Sequence, residues 1–314
     1  MVGHLEALHL LNANGENLNE PLVSSRDSYF LGALFLFLEI VVGTSIAAII
    51  KYFSSDVSLS IVLMFRYLFC LPILLITGLK IGGTHYFKIK NKKVMSLRSV
   101  AGLLGLSFWY LSVIHLDISK ALALSQVMPI FICMLSILFL GEKVGFFRWS
   151  AILVGLSGAV IIINPDAEGW YSVGLLYIFL GTLFASIMFV ALRRLGMTEN
   201  AVATAFWYNL FGSIIFSTYC LSALTLNDIS IDIWIMLVII GVMASAQQIF
   251  MALSHTYASA SSLAPVHYTT IPMGVLIGLL VFNEKIDLNL LIGSFFIVGS
   301  TLFILYREKK KRSS

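Results

Sequence analysis

Long apolar runs separated by short polar stretches organise this chain from about residue 29 to residue 306. A helix needs about 20 apolar residues to cross a hydrocarbon core. On that measure the runs place spans at 29–50, 59–79, 97–115, 119–140, 149–164, 171–192, 202–224, 231–253, 257–282 and 288–306, the fifth being short. Run length favours helices over barrel strands, and helices satisfy their backbone hydrogen bonds within the segment. The pattern therefore predicts an all-α integral membrane protein of ten transmembrane helices. A polar, mildly acidic tail, 1–28, precedes the first span, with Glu6, Glu16, Glu20 and Asp27 against Arg26. It has no basic region leading a short apolar core, so it reads as a cytosolic tail rather than a cleaved signal peptide.

Composition supports the bilayer. The chain is 59% hydrophobic and 11% charged, whereas a soluble domain carries about 25% charged residues. The placement of charge is more informative than its total. With the N-terminus in the cytosol, 16 of the 20 Lys and Arg residues fall in cytosolic segments, counting the six from Lys80 to Arg98 and the five from Arg307 to Arg312. Lys51, Lys120 and Lys285 fall on the opposite side, and Arg66 lies within a span. This bias predicts both termini in the cytosol. The basic tail, 307–314, then reads as an anchor beside anionic lipid, with no nucleic-acid partner. Trp149 and Trp170, near span ends, fit an interfacial aromatic belt. Cys70, Cys133 and Cys220 lie in apolar runs without a CxxC or a neighbouring His, which points away from a disulfide framework, a zinc site or any other metal or cofactor.

A charge in hydrocarbon costs at least about 2.5–3.5 kcal/mol, so each one needs a reason. Glu39 stands midway along span one, and Arg66 stands a few residues into span two. As functional groups, Glu39 is a protonatable coupling group or cation contact, and Arg66 a clamp for a carboxylate or other anion. As structural groups, they form an ion pair between neighbouring helices, or Arg66 reaches out to head groups. His267 and Tyr268 lie in span nine between Pro265 and Pro272, and Gln126 precedes Pro129 in span four. Prolines free backbone carbonyls, and such interruptions are tolerated where they line a cavity. Trp109 and Tyr110 in span three, Trp207, Tyr208 and Asn209 in span seven, and Gln247 in span eight add aromatic and polar surface. Aromatic rings can stack on a flat or cationic substrate, although interfacial or packing roles also fit. The candidate substrate-binding or coupling residues are thus Glu39, Arg66, Trp109, Tyr110, Gln126, Tyr208, Asn209, Gln247, His267 and Tyr268.

An internal repeat gives these spans an architecture. A shift of 142 residues brings Leu111-Ser112 onto Leu253-Ser254, Ser119 onto Ser261, Lys51 onto Arg193, and Glu142-Lys143 onto Glu284-Lys285. With a slip of one residue, Pro129 meets Pro272. Duplication of a five-helix unit follows. Five is odd, so the second copy enters the membrane from the opposite side, as in inverted-repeat secondary transporters with a midplane site between repeats. The organisation expected is a first repeat over 29–165 and a second over 166–306. Gly274 and Gly278 form a small-xxx-small pattern suited to a repeat interface or a homodimer contact, and Gly102–Gly105 and Gly155–Gly158 read as packing glycines.

Three stretches carry a family likeness: RSVAGLLGLSFWYLSVIHLDISKALALSQVMPIF and its continuation through 165, LRRLGMTENAVATAFWYNLFG at 192–212, and SSLAPVHYTTIPMGVLIGLLVFNEK at 261–285. With them the chain resembles the EamA-type carriers of the drug/metabolite transporter superfamily, over roughly residues 29–306. It is most similar to the bacterial subgroup that includes S-adenosylmethionine and riboflavin importers. The resemblance implies ten helices, a bacterial inner-membrane location, alternating access, and a structural or gating role for Glu142 and Glu284. It implies a small organic metabolite as substrate, with a proton or a counter-substrate as coupling partner. An exporter of amino acids or drug-like compounds is the alternative.

No P-loop, GxGxxG, HExxH or nucleophile elbow occurs, so an ATP-driven pump or an enzyme of these classes is not expected. An intramembrane enzyme would need paired catalytic groups at one depth, and Glu39 with His267 is the pair available.

Overall fold

A computed structural model of the chain describes residues 25–140, 146–163, 172–195, 198–222, 230–257, 263 and 266–313. Glu142, Lys143, Trp170, Ser261, Pro265 and the tail over 1–24 lie outside the described residues, as do the side chains of Cys133, Arg193 and 307–314. No strand occurs among the described residues. The helices are α1 (Ser25–Tyr52), α2 (Leu59–Gly82), α3 (Lys92–His115), α4 (Ile118–Ser125), α5 (Met128–Leu140), α6 (Phe146–Ile163), α7 (Val173–Leu195), α8 (Ala201–Ser222), α9 (Ile231–Tyr257), α10 (Thr270–Phe282) and α11 (Leu288–Ser313). They fall on the expected spans. Among the described residues, five segments are long and apolar enough to cross a membrane: Phe30–Tyr52, Leu59–Lys80, Lys92–His115, Val173–Leu192 and Ile231–Met251.

Polar side chains within these helices turn back on their own backbone. Thr44 donates to Ile40 O at 2.8 Å, Thr182 to Ile178 O at 2.7 Å and Ser186 to Thr182 O at 2.7 Å. A hydroxyl satisfied this way can face hydrocarbon or a packed neighbour without an orphaned donor. The outward residues are large and apolar, with Leu280 80% and Phe295 76% exposed. A continuous surface of this kind belongs against lipid.

Span four is not one helix. α4 ends at Ser125, Gln126 and Val127 form a turn, and α5 restarts at Met128-Pro129. Pro129 sits in the first turn of α5, where a missing N–H removes no helical bond. The second break, at Tyr268 and Thr269 before α10, lies 142 residues further on, the offset expected from the sequence matches. Pro272 again occupies the first turn. The continuous spans expected over 119–140 and 257–282 are therefore each interrupted, because a proline that begins a helix well does not continue one.

The principal packing pairs are α3 with α7, α6 with α11, α1 with α9 and α2 with α8, and each joins the first half of the chain to the second. Small residues set the closest approaches. A Cβ on Gly105 would lie 2.8 Å from Ala185 N, and one on Gly158 would lie 2.7 Å from Gly293 O. Gly274 packs against Leu122 of α4, and Gly278 leaves room for the Glu284 carboxylate, which puts the small-xxx-small pattern on a contact within the chain.

One end of the bundle is tied by a clasp. Asn283 adopts a left-handed conformation (φ 50°) and ends α10, turning Glu284 inward. Asparagine tolerates that region better than most residues. Glu284 Oε1 accepts from Ile118 N at 2.6 Å, and Oε2 accepts from Ser119 N at 3.1 Å and Ser119 Oγ at 2.7 Å. It thus serves the orphan donors at the start of α4, where the helix dipole also favours an anion. Lys51 lies 3.6 Å from Glu284 and donates to the carbonyl of Leu116. The partners of Glu284 lie across the two halves of the chain rather than locally. Glu284→Ala is expected to cost about 3 kcal/mol by orphaning these donors. Thermal unfolding of the purified protein should show a drop of several degrees, and an unchanged midpoint would refute the clasp.

Candidate functional site

Two charges in a bundle of apolar helices, the half-buried Glu39 and the buried Arg66, face one cavity of about 270 Å³. Helix α1 contributes Glu39, Ile40, Gly43 and Thr44, α2 contributes Arg66, and α3 contributes Leu106, Trp109 and Tyr110. From α4 comes Leu122, and from the second half come Gln247 on α9, His267 beside the second helix break and Thr270 at the start of α10. The cavity therefore lies between helices of the two halves.

Its polar groups form a chain. Arg66 is 7% exposed. Its Nε donates to the Tyr110 hydroxyl at 3.0 Å, and its Nη2 donates to Gln247 Oε1 at 3.3 Å. Gln247 Nε2 in turn donates to Glu39 Oε1 at 2.7 Å. The partners fix the orientation of the amide, because a guanidinium only donates and a carboxylate only accepts. Among the described ion pairs none joins Glu39 to Arg66. The Gln247 carboxamide stands between them. Gly43, one turn after Glu39, makes room for it: a Cβ there would lie 2.6 Å from Gln247 Nε2.

Six of the residues expected from sequence meet in this cavity: Glu39, Arg66, Trp109, Tyr110, Gln247 and His267. Trp109 and Tyr110 approach edge to face, with centroids 5.0 Å apart. The other four do not line it. Gln126 and Tyr268 each stand in one of the two helix breaks. Tyr208 is buried, with its hydroxyl 2.9 Å from that of Tyr67 and donating to Gly102 O at 3.2 Å. Asn209 is fully buried, donating from Nδ2 to Ala205 O at 2.9 Å.

A second buried arginine is Arg98, which the charge distribution counts with the cytosolic segments although it is the second residue of the expected span 97–115. The structure starts α3 at Lys92, behind an Asn91 cap that accepts from Val94 N at 3.2 Å, so Arg98 lies well inside the helix. It is 7% exposed, and its guanidinium carbon lies 3.9 Å from the centroid of the Tyr208 ring. The signal available in the sequence was Asn91, a residue type favoured as a helix N-cap.

A multi-pass bundle that presents apolar side chains outward and encloses a charged cavity between its halves has the make-up of a membrane transport protein. The family comparison makes the class specific. The model of the EamA-like transporter family matches residues 30–164 and again residues 172–306. The chain belongs to this family, within the drug/metabolite transporter superfamily, and is a transporter rather than an enzyme. It is 25% identical over 283 residues to an S-adenosylmethionine uptake transporter of Rickettsia conorii, covering 90% of this chain and 95% of that one. It is 27% identical over 231 residues to a riboflavin transporter of Brucella anthropi, covering 72% and 81%. An uncharacterized transporter of Helicobacter pylori is 30% identical over 255 residues, covering 77% and 84%. A solved crystal structure superposes with a TM-score of 0.59 at 15% identity, over 91% of this chain and 98% of that one, which supports the fold alone.

Tyr110→Phe removes the acceptor of the Arg66 Nε donor, a hydrogen bond to a charged group worth about 1.5–3 kcal/mol. The variant is expected to unfold at a lower temperature than the parent protein. If its unfolding midpoint is unmoved, Tyr110 does not hold Arg66.

Proposed function

We propose that this protein is a secondary carrier that moves a small organic metabolite by alternating access, with the substrate held in the Glu39–Gln247–Arg66 cavity. The observation that carries the reading is the position of two charges, half-buried Glu39 and buried Arg66, in a cavity between two matched segments. Charges are retained in hydrocarbon at substantial cost, and they mark substrate and ion pathways.

Support for two inverted five-helix repeats, over 29–165 and 166–306, comes from three offsets that agree. The internal sequence matches, the two family-model segments and the two helix breaks are all displaced by 142 residues. The packing has the same symmetry. Exchanging each span for the one five later turns α3 with α7 into α9 with α1, and maps α2 with α8 and α6 with α11 onto themselves. An odd-numbered repeat inverts, and rocking of one repeat against the other exposes a midplane site to each side in turn. The distribution of Lys and Arg favours both termini in the cytoplasm, with the inner membrane of a bacterium as the location. The Rickettsia and Brucella relatives favour uptake of a compound of the S-adenosylmethionine or riboflavin kind. A gradient or an exchange partner drives the cycle. Glu39 is the cavity carboxylate able to carry a proton.

The test is uptake of labelled S-adenosylmethionine and riboflavin into proteoliposomes containing the purified protein. Flux of one of them above protein-free vesicles is expected, with a loss of about tenfold or more in Arg66→Ala, where a charge-assisted contact is removed. Glu39→Gln should abolish any dependence of flux on an imposed pH gradient. Flux by Arg66→Ala equal to that of the parent would remove the cavity from the mechanism.

A further inference from the structure

The Gln247 bridge carries a more specific reading of this cavity, which rests on the carrier function proposed above. Glu39 and Arg66 both come from the first half, on α1 and α2, whereas Gln247 reaches them from α9 of the second. The amide offers its N–H to the carboxylate and its oxygen to the guanidinium, 2.7 Å and 3.3 Å away. It is uncharged, yet it meets both charges at once. These bonds use one oxygen of Glu39 and, with Tyr110, two of the five N–H donors of Arg66. Both groups keep capacity for further contacts.

We propose that Gln247 is a resident stand-in for the polar head of the substrate. The site takes a zwitterion with an ammonium and a carboxylate on one carbon, the head of an α-amino acid, which displaces Gln247. The ammonium then meets Glu39 and the carboxylate meets Arg66.

Three physical arguments favour this class. First, a zwitterion replaces two bonds that each have one ionised partner with two between opposite full charges, adding Coulomb attraction in a low-dielectric interior. Second, the cavity holds one charge of each sign. A ligand with only one charged group would engage one of them and leave the other uncompensated in a low-dielectric interior. Third, the amide places one donor and one acceptor side by side, the geometry that an ammonium and a carboxylate on a single carbon reproduce. The remaining lining suits the rest of such a molecule. Trp109, Leu106 and Ile40 offer aromatic and aliphatic surface next to the charges. The volume of about 270 Å³ lies just below the usual range of small-molecule sites, and matches an amino-acid head and its near side chain.

The experiment measures thermal stabilisation of the purified full-length protein by matched probes. S-Adenosylmethionine and L-methionine carry the zwitterion. N-Acetyl-L-methionine, L-methionine methyl ester and 5′-methylthioadenosine lack the ammonium, the carboxylate or both, and riboflavin carries an uncharged donor–acceptor edge. The expected result is stabilisation by the two zwitterions, with the other four at least tenfold weaker. In Gln247→Leu and Gln247→Ala the resident competitor is gone. The ligand-free protein should melt lower, and the zwitterions should bind about tenfold more tightly, one hydrogen bond's worth. Two results overturn the proposal: stabilisation by 5′-methylthioadenosine or riboflavin equal to or better than that by the zwitterions, or the absence of a response to either zwitterion. Riboflavin flux in proteoliposomes would then leave the carrier function standing and remove only the zwitterion. Weaker zwitterion binding in both Gln247 variants overturns the stand-in role, since an ordinary contact residue behaves that way.

Discussion

In hydrocarbon there is no water to take a hydrogen bond, so each polar group of the chain must find its partner within the chain. Most of the architecture follows from that constraint. It favours helices, and it turns the hydroxyls of Thr44, Thr182 and Ser186 back onto their own carbonyls. It also explains how a helix can start inside the bundle. The free N–H groups at the head of α4 are met by Glu284, just beyond the far end of α10. Helix breaks are affordable only where such groups are supplied.

The same constraint separates the two buried arginines. Arg66 has its donors engaged by Tyr110 and Gln247 and faces the cavity. Arg98 lies over the Tyr208 ring, and its Nε and Nη1 find no hydrogen-bond acceptor among the described residues. The Tyr208 hydroxyl meanwhile joins Tyr67 to the Gly102 carbonyl. One arginine is held by directed bonds, the other by the face of a ring.

Much of this was legible in the sequence because hydrocarbon makes polar residues conspicuous. The spans follow from run length, and Glu39 and Arg66 stand out as charges within runs that are otherwise apolar. Pro129 and Pro272 marked the neighbourhood of both helix breaks. What could not be read is which face of each helix turns inward. Tyr208 and Asn209 are as polar as Gln247, yet α8 directs them to Tyr67 and to the helix's own backbone, whereas α9 aims Gln247 between two charges on distant helices. That choice depends on packing between segments nearly two hundred residues apart. Gly43 was invisible for a related reason: its role is to be absent where the amide passes, and a missing side chain has no chemical signature of its own.

Because the main packing pairs join one half of the chain to the other, the order of synthesis acquires a meaning. As α1, α2 and α3 enter the bilayer, the helices they will pack against, α9, α8 and α7, have not yet been made. During that interval Glu39 and Arg66 lack Gln247 and must be tolerated by lipid, by water defects or by the insertion machinery. Assembly is therefore completed from the back of the chain, and a ribosome that stops early leaves a membrane-inserted fragment marked by two unsatisfied charges, a feature that quality control could recognise.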